Sequence, residues 1–196
     1  MFKKLLAIGA LALFTLTSTV FAAGAADVTL TAQTIVAPAT ISPQEAADLQ
    51  FMREEEKLAH DVYVTLYEKW DLRVFNNIAA SEQKHTDAVA VLLDRYDITD
   101  PVTGNDVGEF ADLELQALYD QLVAQGSRSV AEALKVGAAI EEIDILDLQE
   151  RLGETDNASI ERVYDSLLAG SENHLRAFVS NLKAQTGETY APQYLS

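Results

Sequence analysis

"VFNNIAASEQKHTDAV", residues 74–89, reads as an amphipathic helix whose apolar face is interrupted by charge. Alternating steps of three and four pick out Phe75, Ile78, Glu82, His85, Val89, Leu92 and Tyr96 without a break. Such a stripe is the inward face of a helix packed against other helices. Glu82 and His85 are therefore expected inside the core, where an ionised carboxylate is costly unless it is paired or metal-bound.

The same reading works outward to three more long helices. The first starts at "SPQE", where Ser42 is an N-cap, Pro43 fits the first turn and Glu45 completes a capping box. Its stripe is Leu49, Met52, Glu56, Ala59, Tyr63, Leu66 and Trp70, with Glu56 in the seam. The neighbouring Glu54 and Glu55 fall in registers shared with Asp61, Asp48 and Lys69, which read as solvated faces. The second helix spans about 74–96. A turn-rich loop, "DITDPVTGNDVG", leads to a short helix over about 110–125, stopped at Gly126. "SVAE" then opens the third long helix with a capping box of Ser129 and Glu132, ending at Gly153. Two registers of that helix are equally apolar, and both pass through Glu141, one of them also through Asp144; Glu142 reads as surface. The fourth helix, about 157–185, has the stripe Ile160, Val163 or Tyr164, Leu167, Gly170 or Ser171, His174, Phe178 and Leu182. His174 faces inward, whereas Glu172 faces out beside Arg176. His60 lies beside the seam of the first helix and is expected at the surface.

The body of the chain is thus all-α. Short connections make antiparallel hairpins of helices one and two and of helices three and four, and some thirty residues join the pairs. These features predict a four-helix bundle with one long crossover that carries a short extra helix, the ferritin-like topology. The helical domain spans 42–188, followed by an irregular tail, 189–196. Ahead of it, 23–41 is an extended Thr/Val/Ala-rich linker. Residues 1–22 have Lys3 and Lys4, an apolar run and "VFAA", the pattern of a secretory signal peptide. A periplasmic or secreted location follows as an expectation.

Composition narrows the chemistry. The chain has no cysteine, which removes disulfides, thiolate zinc sites and iron–sulfur clusters. Its 31 acidic against 14 basic residues, a formal charge of −17, favour cations over nucleic acid or an anionic membrane. Carboxylates from three helices with imidazoles from two form an oxygen-rich donor set suited to iron or manganese, with zinc an alternative.

Several segments also resemble known proteins. "FNNIAASEQKH" is similar to the second-helix pattern of the ferritin-like, rubrerythrin-type family, Phe-x-x-Ile-Ala-x-x-Glu-x-x-His. "EKLAHDVY" and "LKVGAAIEEID" resemble its first- and third-helix elements. "EEEKLAHDVY", "NIAASEQKH", "IEEIDI" and "GSENHLRAF" resemble more closely an uncharacterised bacterial and archaeal ferritin-like family, a domain of unknown function. The resemblance covers about 45–190 and implies a metal centre of Glu56, Glu82, His85, Glu141, Asp144 and His174. It implies a dinuclear iron cofactor and oxygen or peroxide as substrate; a homodimer is a separate expectation that the resemblance does not supply. One position departs from the pattern: Ser171 stands where the last helix of that family has the Glu of Glu-x-x-His. Either Asp144 substitutes, or one metal position is weak. A non-catalytic metal-binding bundle and a purely structural bundle are the rival readings.

Overall fold

Local sequence accounts for where each helix begins and stops in the computed structural model, which describes residues 40–195. The expected signal peptide and all but the last two residues of the expected linker lie outside the described residues. Helix α1 (Pro43–Trp70) opens on the expected capping box, Ser42 Oγ accepting from the Glu45 amide at 3.1 Å and Glu45 accepting from the Ser42 amide at 2.7 Å. It ends at Asp71 in the left-handed region (φ 51°), which turns the chain directly into α2 (Arg73–Arg95). Helix α4 (Val130–Leu152) and helix α5 (Ala158–Thr186) follow the same logic, with Asn157 capping α5 and Gly187 closing it at φ 77°.

Two local expectations are corrected. The short helix α3 (Leu113–Gly126) starts three residues later than the apolar pattern predicts. Asp112 caps it, and the amides of Ala111 and Asp112 are already taken by the Glu54 carboxylate. Gly126 is its last helical residue; a Cβ there would lie 2.8 Å from the Leu66 methyls, so close packing explains the glycine. At Ser129 only half of the capping box forms, because Glu132 turns instead to Gln125 and Lys135.

Among the described residues the protein is all-helical, with five helices and no strand, and no helix is long and apolar enough to cross a membrane. Helix α1 packs along α2, and α4 along α5; the pairs meet through α2–α5 and α1–α4, while α3 lies against α1 and α4. The apolar interior falls into two clusters. One gathers Tyr63, Phe75, Leu134, Phe178 and Leu182, with the Tyr63, Phe75 and Phe178 rings 5.0–6.1 Å apart. The other gathers Leu49, Met52, Val89, Leu148, Tyr164 and Leu167. On each of α1, α2, α4 and α5 polar side chains stand between these two clusters: Glu56, then Glu82 and His85, then Glu141 and Asp144, then Ser171 and His174.

The connection 97–112 is strapped to the back of α1 by charge. Arg53 pairs with Asp100 at 3.1 Å. Asp61 receives Lys57, His60 and the Gly108 amide. His60, expected at the surface, is instead half-buried beside Asp61 at 2.8 Å.

Candidate metal centre

The polar belt between the two cores contains the six residues singled out from the sequence. Glu56, Glu82, Glu141 and Asp144 are buried, Glu56, Glu82 and Glu141 at only 1–2% exposure. The imidazoles of His174 and His85 are nearly equally exposed, with 11% and 12% of their side chains reaching solvent.

Glu82 is at the centre. Its Oε2 lies 2.8 Å from His85 Nδ1, and its Oε1 lies 2.7 Å from His174 Nδ1. Each imidazole also faces one further carboxylate: Glu56 Oε2 is 3.3 Å from His85 Nδ1, and Glu141 Oε2 is 3.5 Å from His174 Nδ1. The two rings stack at 5.4 Å with 24° between their planes. The arrangement is close to two-fold: one shared carboxylate, two imidazoles, two outer carboxylates. Tyr63 donates to Glu141 Oε1 at 2.5 Å, so it touches the cluster as well as filling the core.

The distances would suit hydrogen bonds, yet both Nδ1 atoms, Glu82 Oε1 and Glu56 Oε1 are buried without a hydrogen-bond partner. Atoms of Glu82, His85 and His174 nevertheless converge within 4.8 Å of one another. Neighbouring ligands around a divalent ion held at about 2.1 Å stand about 3 Å apart. The separations, the orphaned atoms and the nitrogen–oxygen donor set all fit a metal centre.

Asp144 sits beside this group. One of its oxygens accepts from the Ser171 hydroxyl, and its Oδ1 has no partner. Ser171 therefore orients Asp144 at the position where the resembled family has Glu.

Burial and mutual charge set the protonation. At Glu82 burial acts upward, but the His174 and His85 imidazoles outweigh it and hold the carboxyl down at about 2. Burial works against charge on both histidines, yet the facing carboxylates lift His85 to about 11 and His174 to about 10. Burial, aided by the charge of Glu82, raises Glu141 to about 8. Burial raises Asp144 to about 7 against the Ser171 hydrogen bond, and burial with the Asp144 charge pushes Glu56 well up. Without metal, protons neutralise the cluster, so metal binding must release them.

Gly170 makes room for the His85 ring. A Cβ at this position would stand 2.5 Å from His85 Cε1 and 2.6 Å from Nε2. A ring held on one rotamer cannot yield there without moving Nδ1. Gly170→Ala is expected to weaken metal binding about 10–100-fold, the scale seen when ligand orientation is disturbed, as read by calorimetric titration; wild-type affinity would refute the packing argument.

Three acidic residues expected at the surface are buried instead. Glu54 accepts the α3 N-terminal amides described above. Glu142, 1% exposed, accepts the amides of Gln193 and Tyr194 at 2.8 and 2.7 Å, docking the irregular tail on α4. Glu55 is 7% exposed with Oε2 unpartnered.

With this geometry in hand, comparison with known proteins places the chain. The model of the uncharacterized protein domain DUF2202 matches residues 45–196. The chain belongs to the DUF2202 family. It is 52% identical over 156 residues to the uncharacterized protein MJ0754 of Methanocaldococcus jannaschii, covering 80% of this chain and 84% of that relative. The crystal structure of the hypothetical protein MJ0754 from Methanococcus jannaschii is similar with a TM-score of 0.78, over 80% of this chain and 89% of that one. Neither name assigns a DUF2202 protein a function.

Proposed function

We propose that the chain is a ferritin-like four-helix bundle, with α3 on its long crossover, built around a dinuclear metal centre that supports redox chemistry. The observation that carries this reading is the double role of Glu82, whose two oxygens each approach a different histidine Nδ1 that is left without a hydrogen bond. A carboxylate shared between two half-sites is the arrangement by which bundle proteins hold a pair of ions. Glu82 would bridge, Glu56 and His85 would hold one ion, and Glu141 and His174 the other. Iron suits this donor set first, with manganese or zinc as alternatives.

Bound iron would supply one-electron chemistry toward oxygen or peroxide, as an oxidase, a peroxidase or an oxidant of ferrous iron. The protein's own residues would do the rest. Tyr63 holds its proton, its ionisation pushed well up by burial and the Glu141 charge, and keeps Glu141 in place through the 2.5 Å hydrogen bond. The two apolar clusters keep water away above and below the belt. The partly exposed edges of His85 and His174 would be where a small molecule reaches the centre.

A second reading, metal binding without turnover, is favoured by one observation: Ser171 engages Asp144 where a further bridging carboxylate would otherwise stand. If the signal-peptide pattern of residues 1–22 is used, either activity would belong in the periplasm or outside the cell.

Metal stoichiometry tests the reading. After anaerobic loading with iron(II), the wild type is expected to hold two ions per chain and the Glu82→Ala/His85→Ala variant none. Consumption of oxygen or peroxide by the loaded wild type then separates an enzyme from a binding protein. No bound iron, manganese or zinc would leave only a hydrogen-bonded bundle.

A further inference from the structure

The segment "EEIDILD" carries Glu141, Asp144 and Asp147 at every third position of α4. Residues three apart form a ridge oblique to the helix axis, so the row winds from the interior toward the surface. Glu141 is its inner end, at the centre described above. Asp147, its outer end, has 29% of its side chain exposed.

Opposite this row, α1 presents Glu55, whose carboxyl is pushed well up by burial and by the nearby charges of Asp147 and Asp144. Glu55 Oε2 and Asp144 Oδ1 are both buried and unpartnered. The two carboxyl groups line one cavity of about 20 Å³, whose other walls include Leu58, Leu115, Leu118 and Ile140. That is room for a single water-sized occupant. An occupant of this hole, a water or a cation, is what could satisfy these two oxygens. A passing cation would satisfy both oxygens at once.

We propose that Glu55 and Asp144 form a transit position for divalent cations, on a route that runs from Asp147 at the surface to Glu56 and Glu82. The proposal rests on the metal-centre reading above. At the outer end Arg151 lies 3.7 Å from both Asp48 and Asp147 and stacks on Phe51 at 4.4 Å, which keeps the mouth carboxylates gathered. Glu56 follows Glu55 directly on α1, and the charge of Asp144 acts on it.

Loading kinetics test the route. Metal-free full-length protein is mixed with cobalt(II) in a stopped-flow instrument, the ligand-field absorption gives the rate, and an equilibrium titration gives the number of ions bound. Glu55→Gln and Asp147→Asn are expected to slow loading about tenfold or more, the scale of electrostatic guidance, with the same number of ions bound at the end. Asp165→Asn, which removes an exposed acid on α5, is expected to load at the wild-type rate. Asp147 is partly exposed, so its variant tests the route even if Glu55→Gln fails to fold. Wild-type rates in the folded variants would overturn the proposal, as would equal slowing in Asp165→Asn. A lower endpoint in Glu55→Gln would make Glu55 a resident ligand and overturn it too. Failure of the wild type itself to take up cobalt would instead overturn the metal centre, and the route with it.

Discussion

Glu82→Gln should abolish binding at both metal positions, whereas Glu56→Gln and Glu141→Gln should each weaken one. The asymmetry follows from geometry. Glu82 alone contacts both imidazoles, one through each oxygen. Glu56 approaches only His85, and Glu141 only His174. Glutamine keeps the size of the side chain but loses the charge and one acceptor oxygen, so the shared position loses its bridge. It also leaves two imidazoles without the anion that offsets their burial. Titration of each variant with iron(II) or cobalt(II) checks this. Equal losses in all three would show that no carboxylate is shared, and retention of both ions in Glu82→Gln would remove the bridge from the account.

The metal-free protein should lose stability as pH rises, and bound metal should reverse that trend. His85, His174, Glu141, Asp144 and Glu56 all have folded-state values above their ordinary ones. Each therefore binds its proton more tightly in the folded chain than in the unfolded one. The stability it contributes is full below its unfolded pKa and is lost as pH climbs through the folded value. For Asp144 and Glu141 the window runs from 3.8 and 4.5 to about 7 and 8; for the histidines it runs from 6.5 to about 10 and 11. Glu82 acts oppositely: its contribution is present above 4.5 and is lost as pH falls toward 2. The metal-free optimum thus lies in acid solution, on the order of pH 4, with the melting temperature falling from there toward pH 9. Metal bound at a thousandfold excess over its Kd adds about 4 kcal/mol, roughly 10 °C for a chain of this size. That gain should grow with pH, because fewer protons need displacing. A metal-free melting temperature that rises between these pH values would contradict the protonation pattern.

Much of this was legible in the sequence because a stripe of steps three and four is a physical statement about one face of a helix. Glu56, Glu82 and His174 interrupt otherwise apolar stripes, and each lies in the belt. On α4 two registers were equally apolar, and the reason is now visible: α1, α3 and α5 all pack against that helix, so most of its circumference is buried. The same crowding hid Glu54, Glu55 and Glu142. A stripe marks one buried face and leaves the others to be read as solvent, yet α3 covers part of α1 and the tail covers part of α4. Glu54 and Glu142 satisfy backbone amides of segments distant in sequence, a role with no periodic signature. Glu55 differs from them, since its buried oxygen is left unpartnered. The late start of α3 has a similar origin: Asp112 was a legible cap, but the competing hold of Glu54 on the preceding amides is a tertiary contact.

The most direct measurement of the central claim is anomalous diffraction at the iron edge from crystals of the full chain loaded anaerobically with iron(II). The account predicts peaks on both sides of the Glu82 carboxylate, one beside Glu56 and His85 and the other beside Glu141 and His174. Peaks away from Glu82, or none in crystals whose bulk iron content is stoichiometric, would contradict it.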